Sequence, residues 1–153
     1  MLERAALETR SQASAWLRVY LGYAPGVGKT YAMLNEGRRR KARGTDVVVG
    51  LVETYERPLT QAAIGDLEVI PRRKIEYRGV VVEEMDVEAI LARKPQVALI
   101  DEFAHTNVPG SKNTKRYQDA LDVKAAGINV ITTVNIQHIE SLHDTIEHIT
   151  GVS

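Results

Sequence analysis

"LGYAPGVGKTYAML", residues 21–34, misses a phosphate-binding loop by one residue. Gly28, Lys29 and Thr30 close the pattern G-x-x-x-x-G-K-[ST], with Pro25, Gly26 and Val27 leading in. The first glycine should fall at position 23, where Tyr23 stands, and Gly22 comes one place early. In such a loop Gly26 and Gly28 let backbone N–H groups turn inward around phosphate oxygens. Lys29 sets a cation on the β/γ phosphates, Thr30 offers its hydroxyl to Mg²⁺, and the next helix aims its positive end at the anion. At background frequencies G-x-G-K-[ST] arises by chance in fewer than about one in a hundred chains of this length. The missing glycine begins the turn out of a strand, where backbone angles matter more than phosphate contact. Tyr23 can serve if Gly22 takes up that turn one residue earlier.

The flanks have the context that the loop requires. "LRVYLG" before it is a strand-length apolar run, and a helical pattern follows from about Lys29 to Arg43. Arg38 to Lys41 and Arg43 suit the negative end of that helix, with Gly44 as its stop. "DVVVGLVET" is a continuous apolar run, as a strand covered on both faces requires. A short helix is expected over Pro58 to Ile64, and the stretch containing "KIEYRG" shows no clear pattern. "DVEAILARK" reads as a helix ended by the approach to Pro95, and "QVALIDE" as a buried strand. "NTKRYQDALDVKAAG" reads as a helix stopped at Gly127, followed by the strand "NVITTVN". Beyond it Ile136, Ile139, Leu142, Ile146 and Ile149 trace one helical face. Strands alternating with helices imply right-handed crossovers and a mainly parallel sheet. The expected fold is a three-layer α/β domain of the P-loop NTPase type. Residues 1–16 are expected to form a helical extension and 17–153 the nucleotide-binding domain.

Ligands of such sheets bind at the carboxyl ends of the strands. There the sequence places the glycine loop, then Glu53 with Thr54, then Asp101 with Glu102, then Asn135 with Gln137 and His138 close behind. Asp101 follows four apolar residues, the Walker B pattern, and would hold through water the Mg²⁺ bound to Thr30. Glu102 is the candidate catalytic residue, placed to orient or deprotonate an attacking water. Asn135 fits two roles, sensing a γ-phosphate or water, or capping the next helix. Glu53 fits a ribose contact, a water contact or a structural hydrogen bond. His138, His143 and His148 are five apart, about 140° round a helix each time, and lack the i, i+4 pairing of a metal helix. Lys112, Lys115 and Arg116 read as exposed loop cations.

Composition narrows the partners. Twenty basic residues balance twenty acidic ones in 153, which argues against nucleic acid and leaves any anion affinity local. There is no cysteine, hence no disulfide framework or thiolate metal site. No apolar run approaches the ~20 residues of a membrane span. "MLERAALETRSQASAW" has acidic residues and no apolar core of a signal peptide. A cytoplasmic location without direct membrane insertion is the expectation.

"GVGKTYAML", "VVVGLVET", "DEFAHTNVPGSKNTKRYQD" and "GINVITTVNIQHIESLHD" together resemble the cytoplasmic N-terminal domain of KdpD-type sensor histidine kinases, which regulate the high-affinity potassium pump. The resemblance runs from about Leu17 to Gly151. In that family the glycine loop is itself commonly one residue out of the strict pattern. The resemblance implies an ATP- and Mg²⁺-binding regulatory domain, with Gly26, Gly28, Lys29 and Thr30 as its Walker A motif and Asp101 with Glu102 as its Walker B. It implies a histidine-kinase core as partner, although neither that core nor a phosphoacceptor histidine box is found in this sequence. The chain is accordingly expected to be cut short at its C-terminal end. "ETYERP" departs from the small, basic stretch usual after the second strand. Two other functions fit the same residues: a stand-alone P-loop ATPase using Glu102 as base, and an interaction module with a vestigial loop.

Overall fold

The computed structural model describes residues 15–22 and 27–135. Among them the elements run β1 (Leu17–Gly22), α1 (Val27–Ala42), β2 (Val47–Leu51), α2 (Pro58–Ile64), β3 (Glu68–Val69), β4 (Arg73–Tyr77), β5 (Val80–Glu84), α3 (Val87–Arg93), β6 (Val97–Ile100), α4 (Arg116–Ala125) and β7 (Asn129–Asn135). Five strands form one sheet in the order β1-β7-β6-β2-β3, and every neighbouring pair is parallel. The expectation of an α/β domain with a mainly parallel sheet is met.

The apolar runs explain why the sheet is central. Every residue of β2 and β6 is buried. Successive side chains go to opposite faces. Val47, Val49, Val97, Leu99 and Ile131 pack with Met33 and Leu34 of α1 and Ala63 of α2. Val48, Ala98, Ile100, Val130 and Val134 pack on the other side with Ile90 of α3 and with Ala120 and Val123 of α4. One helix pair therefore covers each face.

Local chemistry sets the boundaries. Helix α2 opens with Pro58, and α3 opens where Asp86 Oδ1 accepts the Ala89 N–H at 3.0 Å. Lys94 ends α3 in the left-handed conformation, one residue before Pro95. Helix α4 starts at Arg116, later than "NTKR" suggested. The Asn107 N–H takes the Thr114 carbonyl at 2.8 Å, and Asn113 Nδ2 reaches Asp119 and Asp122, so both residues belong to the preceding loop. The unpatterned stretch around "KIEYRG" is the β4–β5 hairpin, which turns at Arg78 and Gly79, both at positive φ. Most of its side chains are exposed or half-exposed, so its apolar alternation is weak. The helical segment expected from Ile136 onward, and residues 1–14, lie outside the described residues.

Helix α1 is tied to the sheet in two ways. Glu36, buried on α1, accepts hydrogen bonds from the Tyr20 hydroxyl and from Arg40 Nε, the latter at 2.8 Å, and pairs with Arg18 at 3.3 Å. Burial works to raise the Glu36 carboxyl, but these partners outweigh it and hold it below its ordinary range. One residue on, Gly37 allows the helix to approach β6 closely: a Cβ there would lie 2.6 Å from Leu99 Cδ1. Among the described residues no helix is long and apolar enough to cross a membrane.

Gly37→Ala tests that approach. Helix propensity alone predicts a gain of about 1 kcal/mol. Overpacking against Leu99 reverses the sign, and a loss of about 1–3 kcal/mol is expected in urea unfolding.

Candidate functional site

All five strands of the sheet are parallel, so Gly22, Leu51, Ile100 and Asn135 end along the same edge. Gly22 sits opposite Asn135, and its positive neighbour is Lys29: a Cβ on Gly22 would fall 2.6 Å from Lys29 Cδ and 2.7 Å from Lys29 Cγ. Gly22 is not among the residues at positive φ. It supplies space for the lysine to lie across the strand end. A Cβ on Gly28 would meet nothing within 4 Å, and the first turn of α1 contains no acidic residue. The positive end of α1 is thus not neutralised by its own side chains.

Below that helix start lies Asp101, 1% exposed. Its carboxylate accepts the Thr30 hydroxyl at 3.0 and 3.2 Å, the Thr133 hydroxyl at 2.5 Å and the Glu53 N–H at 3.0 Å. These donors come from α1, β7 and the segment after β2. Burial pushes the Asp101 carboxyl up, and the three hydrogen bonds oppose it without cancelling it. Thr133 is the hub. Besides bonding Asp101 it accepts the Glu102 N–H on Oγ1 at 2.9 Å and the Phe103 N–H on its carbonyl at 2.9 Å. It can reach all three because β7 lies between β1 and β6.

Glu102 holds φ at 57° and accepts a hydrogen bond from the Tyr55 hydroxyl on Oε2. Glu53, open to three roles in the sequence, takes a structural one with its N–H on Asp101. Its carboxylate pairs with Arg72 at 3.3 Å. Asn135, half-buried, has its Oδ1 buried with no donor among the described residues.

A buried ion pair stands behind the Asp101 loop. Arg116 is 1% exposed, which corrects its reading as an exposed loop cation. Its Nη1 donates to the Asp101 carbonyl at 3.1 Å and its Nη2 to Glu84 Oε1 at 3.2 Å. Glu84 also accepts the Val108 N–H at 2.8 Å and faces His105 Nε2 at 3.0 Å. Burial would raise the Glu84 carboxyl, but these partners hold it below its ordinary range. Lys115 is likewise engaged, its Nζ donating to the Ala104 carbonyl at 3.0 Å and to Thr106 at 2.8 Å. Lys112 is the exposed member of the three and lies 3.7 Å from Asp122.

The structure thus brings Lys29, Thr30, Asp101, Glu102 and Asn135 to one edge, while Pro25 and Gly26 lie outside the described residues. Sequence reasoning missed Thr133, Tyr55, Arg116 and Glu84. Thr133 left a trace, since two threonines interrupt an otherwise apolar buried strand. The other three residues meet in two contacts, Tyr55 with Glu102 and Arg116 with Glu84, which span 47 and 32 residues and have no sequence signal. Among the described residues no three acidic, histidine or cysteine side chains come together as a cage. The Thr30 hydroxyl and one carboxylate are hard oxygen donors. They fit Mg²⁺, which keeps its waters and takes one or two protein ligands beside phosphate oxygens.

Residues 13–153 match a family model described as "KdpD: Osmosensitive K+ channel His kinase sensor domain". The chain is 60% identical over 136 residues to "Sensor protein KdpD" of Mycobacterium tuberculosis, covering 89% of this chain and 16% of that protein. It is 47% identical over 152 residues to "Sensor protein KdpD" of Escherichia coli, covering 99% of this chain and 17% of that one. To the Clostridium acetobutylicum protein of the same name it is 43% identical over its whole length, spanning 17% of that protein. This chain therefore spans about a sixth of the length of these relatives.

Two stability outcomes follow from the site. The raised Asp101 pKa means that the folded protein holds this proton more tightly than the unfolded chain, so ionising Asp101 costs stability as pH rises above the ordinary Asp range. The stability of Asp101→Asn relative to the parent in urea should be most favourable at neutral pH, where the parent's buried Asp101 is ionised at a cost. That relative stability should decline as the pH falls and Asp101 protonates. Arg116→Met, which leaves Glu84 buried without its cation, should lose about 3–5 kcal/mol in the same assay.

Proposed function

This chain belongs to the KdpD sensor-domain family, and from that premise we propose that it is a Mg²⁺-ATP-binding regulatory module with a P-loop NTPase-type fold. The observation that carries the proposal is the Thr30 hydroxyl set against the buried Asp101 carboxylate at 3.0 Å, under a helix start with no acid in its first turn. A phosphate-bound Mg²⁺ asks for those two oxygens. In this reading Pro25 leads into the loop, the backbone N–H groups of Gly26, Val27 and Gly28 are the donors for the phosphates, and Lys29 neutralises them. Asn135 Oδ1, an acceptor lacking a donor among the described residues, suits a water at the terminal phosphate.

The role is gating rather than rapid catalysis. Nucleotide occupancy alters how the edge loops sit, and a histidine-kinase core elsewhere in a longer polypeptide responds. The setting is potassium-dependent two-component signalling on the cytoplasmic side of the membrane. Slow Mg²⁺-dependent hydrolysis with Glu102 as base is compatible with that role.

Titration calorimetry with ATP, ADP and GTP, with and without Mg²⁺, tests the proposal on the parent chain and Lys29→Ala. Micromolar Mg²⁺-ATP binding is expected, weakened at least about 30-fold in the variant, as loss of a charge-assisted contact implies. Brisk phosphate release would favour a stand-alone ATPase. Lack of binding by any nucleotide would leave an interaction module.

A further inference from the structure

Three residues at the mouth of the site occupy a backbone region that L side chains enter only when held there. Tyr55, Glu56 and Glu102 have φ of 51°, 58° and 57°. Two of them are joined: the Tyr55 hydroxyl donates to Glu102 Oε2, while the Glu102 N–H is fixed on Thr133 at 2.9 Å. Tyr55 remains 57% exposed, so hydroxyl bonding rather than ring burial accounts for its position. Glu53 and Asp101 stand close by, so the phenol faces negative charge from three carboxylates. Burial, and then the Glu102 carboxylate, push the Tyr55 hydroxyl far above its ordinary range, and it remains a donor at neutral pH. The segment "ETYERP", where the sequence departs from the expected pattern, is the part of the chain that reaches over to Glu102.

We propose that Tyr55 is a positioning residue that restrains Glu102, keeping bound nucleotide from being hydrolysed. This rests on the reading of the site as a Mg²⁺-ATP site with Glu102 as base. In the restrained step a water oxygen bonds the terminal phosphorus and the bond to the bridging oxygen of ADP breaks. The proton of that water passes to the Glu102 carboxylate. The phenol O–H on Oε2 competes with the O–H of that water for the lone pairs of the carboxylate.

The test measures phosphate release at saturating Mg²⁺-ATP, with calorimetry on the same samples, for the parent, Tyr55→Phe, Glu102→Gln and the double variant. Tyr55→Phe should raise kcat on the order of tenfold, as loss of one hydrogen bond to a charged group implies, with Kd unchanged. The gain should vanish in the double variant. Tyr55→Leu, which also lacks the hydroxyl, should repeat the gain and guards against a folding defect in one variant. Tyrosinate absorbance, with Tyr55→Phe subtracted, should show Tyr55 ionising at lower pH in Glu102→Gln than in the parent. Unchanged or reduced kcat in both hydroxyl-free variants, with Mg²⁺-ATP binding intact, overturns the restraint alone. Failure of the parent to show Lys29-dependent binding overturns the site reading and the restraint with it.

Discussion

A carboxylate removed from water at the end of a strand has to find donors, and the arrangement of this domain turns on how Asp101 finds them. One hydroxyl comes from the first turn of α1, one from β7, and an N–H from the segment that leaves β2. These elements are far apart in sequence, so the Asp101 contacts form only when the parallel sheet has assembled in its observed order. The order matters because β7 is inserted between β1 and β6, which lets Thr133 serve Asp101, Glu102 and Phe103 together. Burial still leaves the Asp101 carboxyl raised. A buried acid of this kind is held at some expense of stability.

A second buried charge pair extends this arrangement away from the edge. Arg116 grips the Asp101 carbonyl with one nitrogen and Glu84 with another, and Glu84 in turn holds the Val108 N–H and His105. The loop between β6 and α4 is thereby fastened to the end of β5. Buried charges of this kind fix geometry more reliably than they add stability. Here the geometry fixed is that of the backbone carrying Asp101 and Glu102. The route from the β4–β5 hairpin to the site runs through two side chains, Glu84 and Arg116.

Family membership and site chemistry bear on different levels of function. Identity of 43–60% with the KdpD relatives places the chain in a sensor-domain family, but it covers about a sixth of those proteins. What this segment contributes lies in its own residues: Lys29 laid over Gly22, Thr30 against Asp101, and Tyr55 against Glu102. The first two suit nucleotide and Mg²⁺. Under the proposed restraint, the third would let bound nucleotide persist.

Sequence alone determined the fold class, because largely apolar runs within 46–54, 96–102 and 129–135 separated by helical patterns permit little except a parallel sheet covered on both faces. It also determined that Lys29, Thr30, Asp101, Glu102 and Asn135 share an edge, since each follows a strand and parallel strands end together. It gave no sign that Gly22 leaves room for Lys29, a tertiary contact with no local signature. It read Arg116 as exposed because it belongs to a run of loop cations, and only the folded chain puts Glu84 and the Asp101 carbonyl within its reach. The hairpin at 73–84 was illegible for the reason that its faces are mostly solvated, so burial imposes no period on its residues. Tyr55 and Glu102 are 47 residues apart, and their meeting was decided by strand order and left-handed backbone, which pairwise spacing along a chain does not encode.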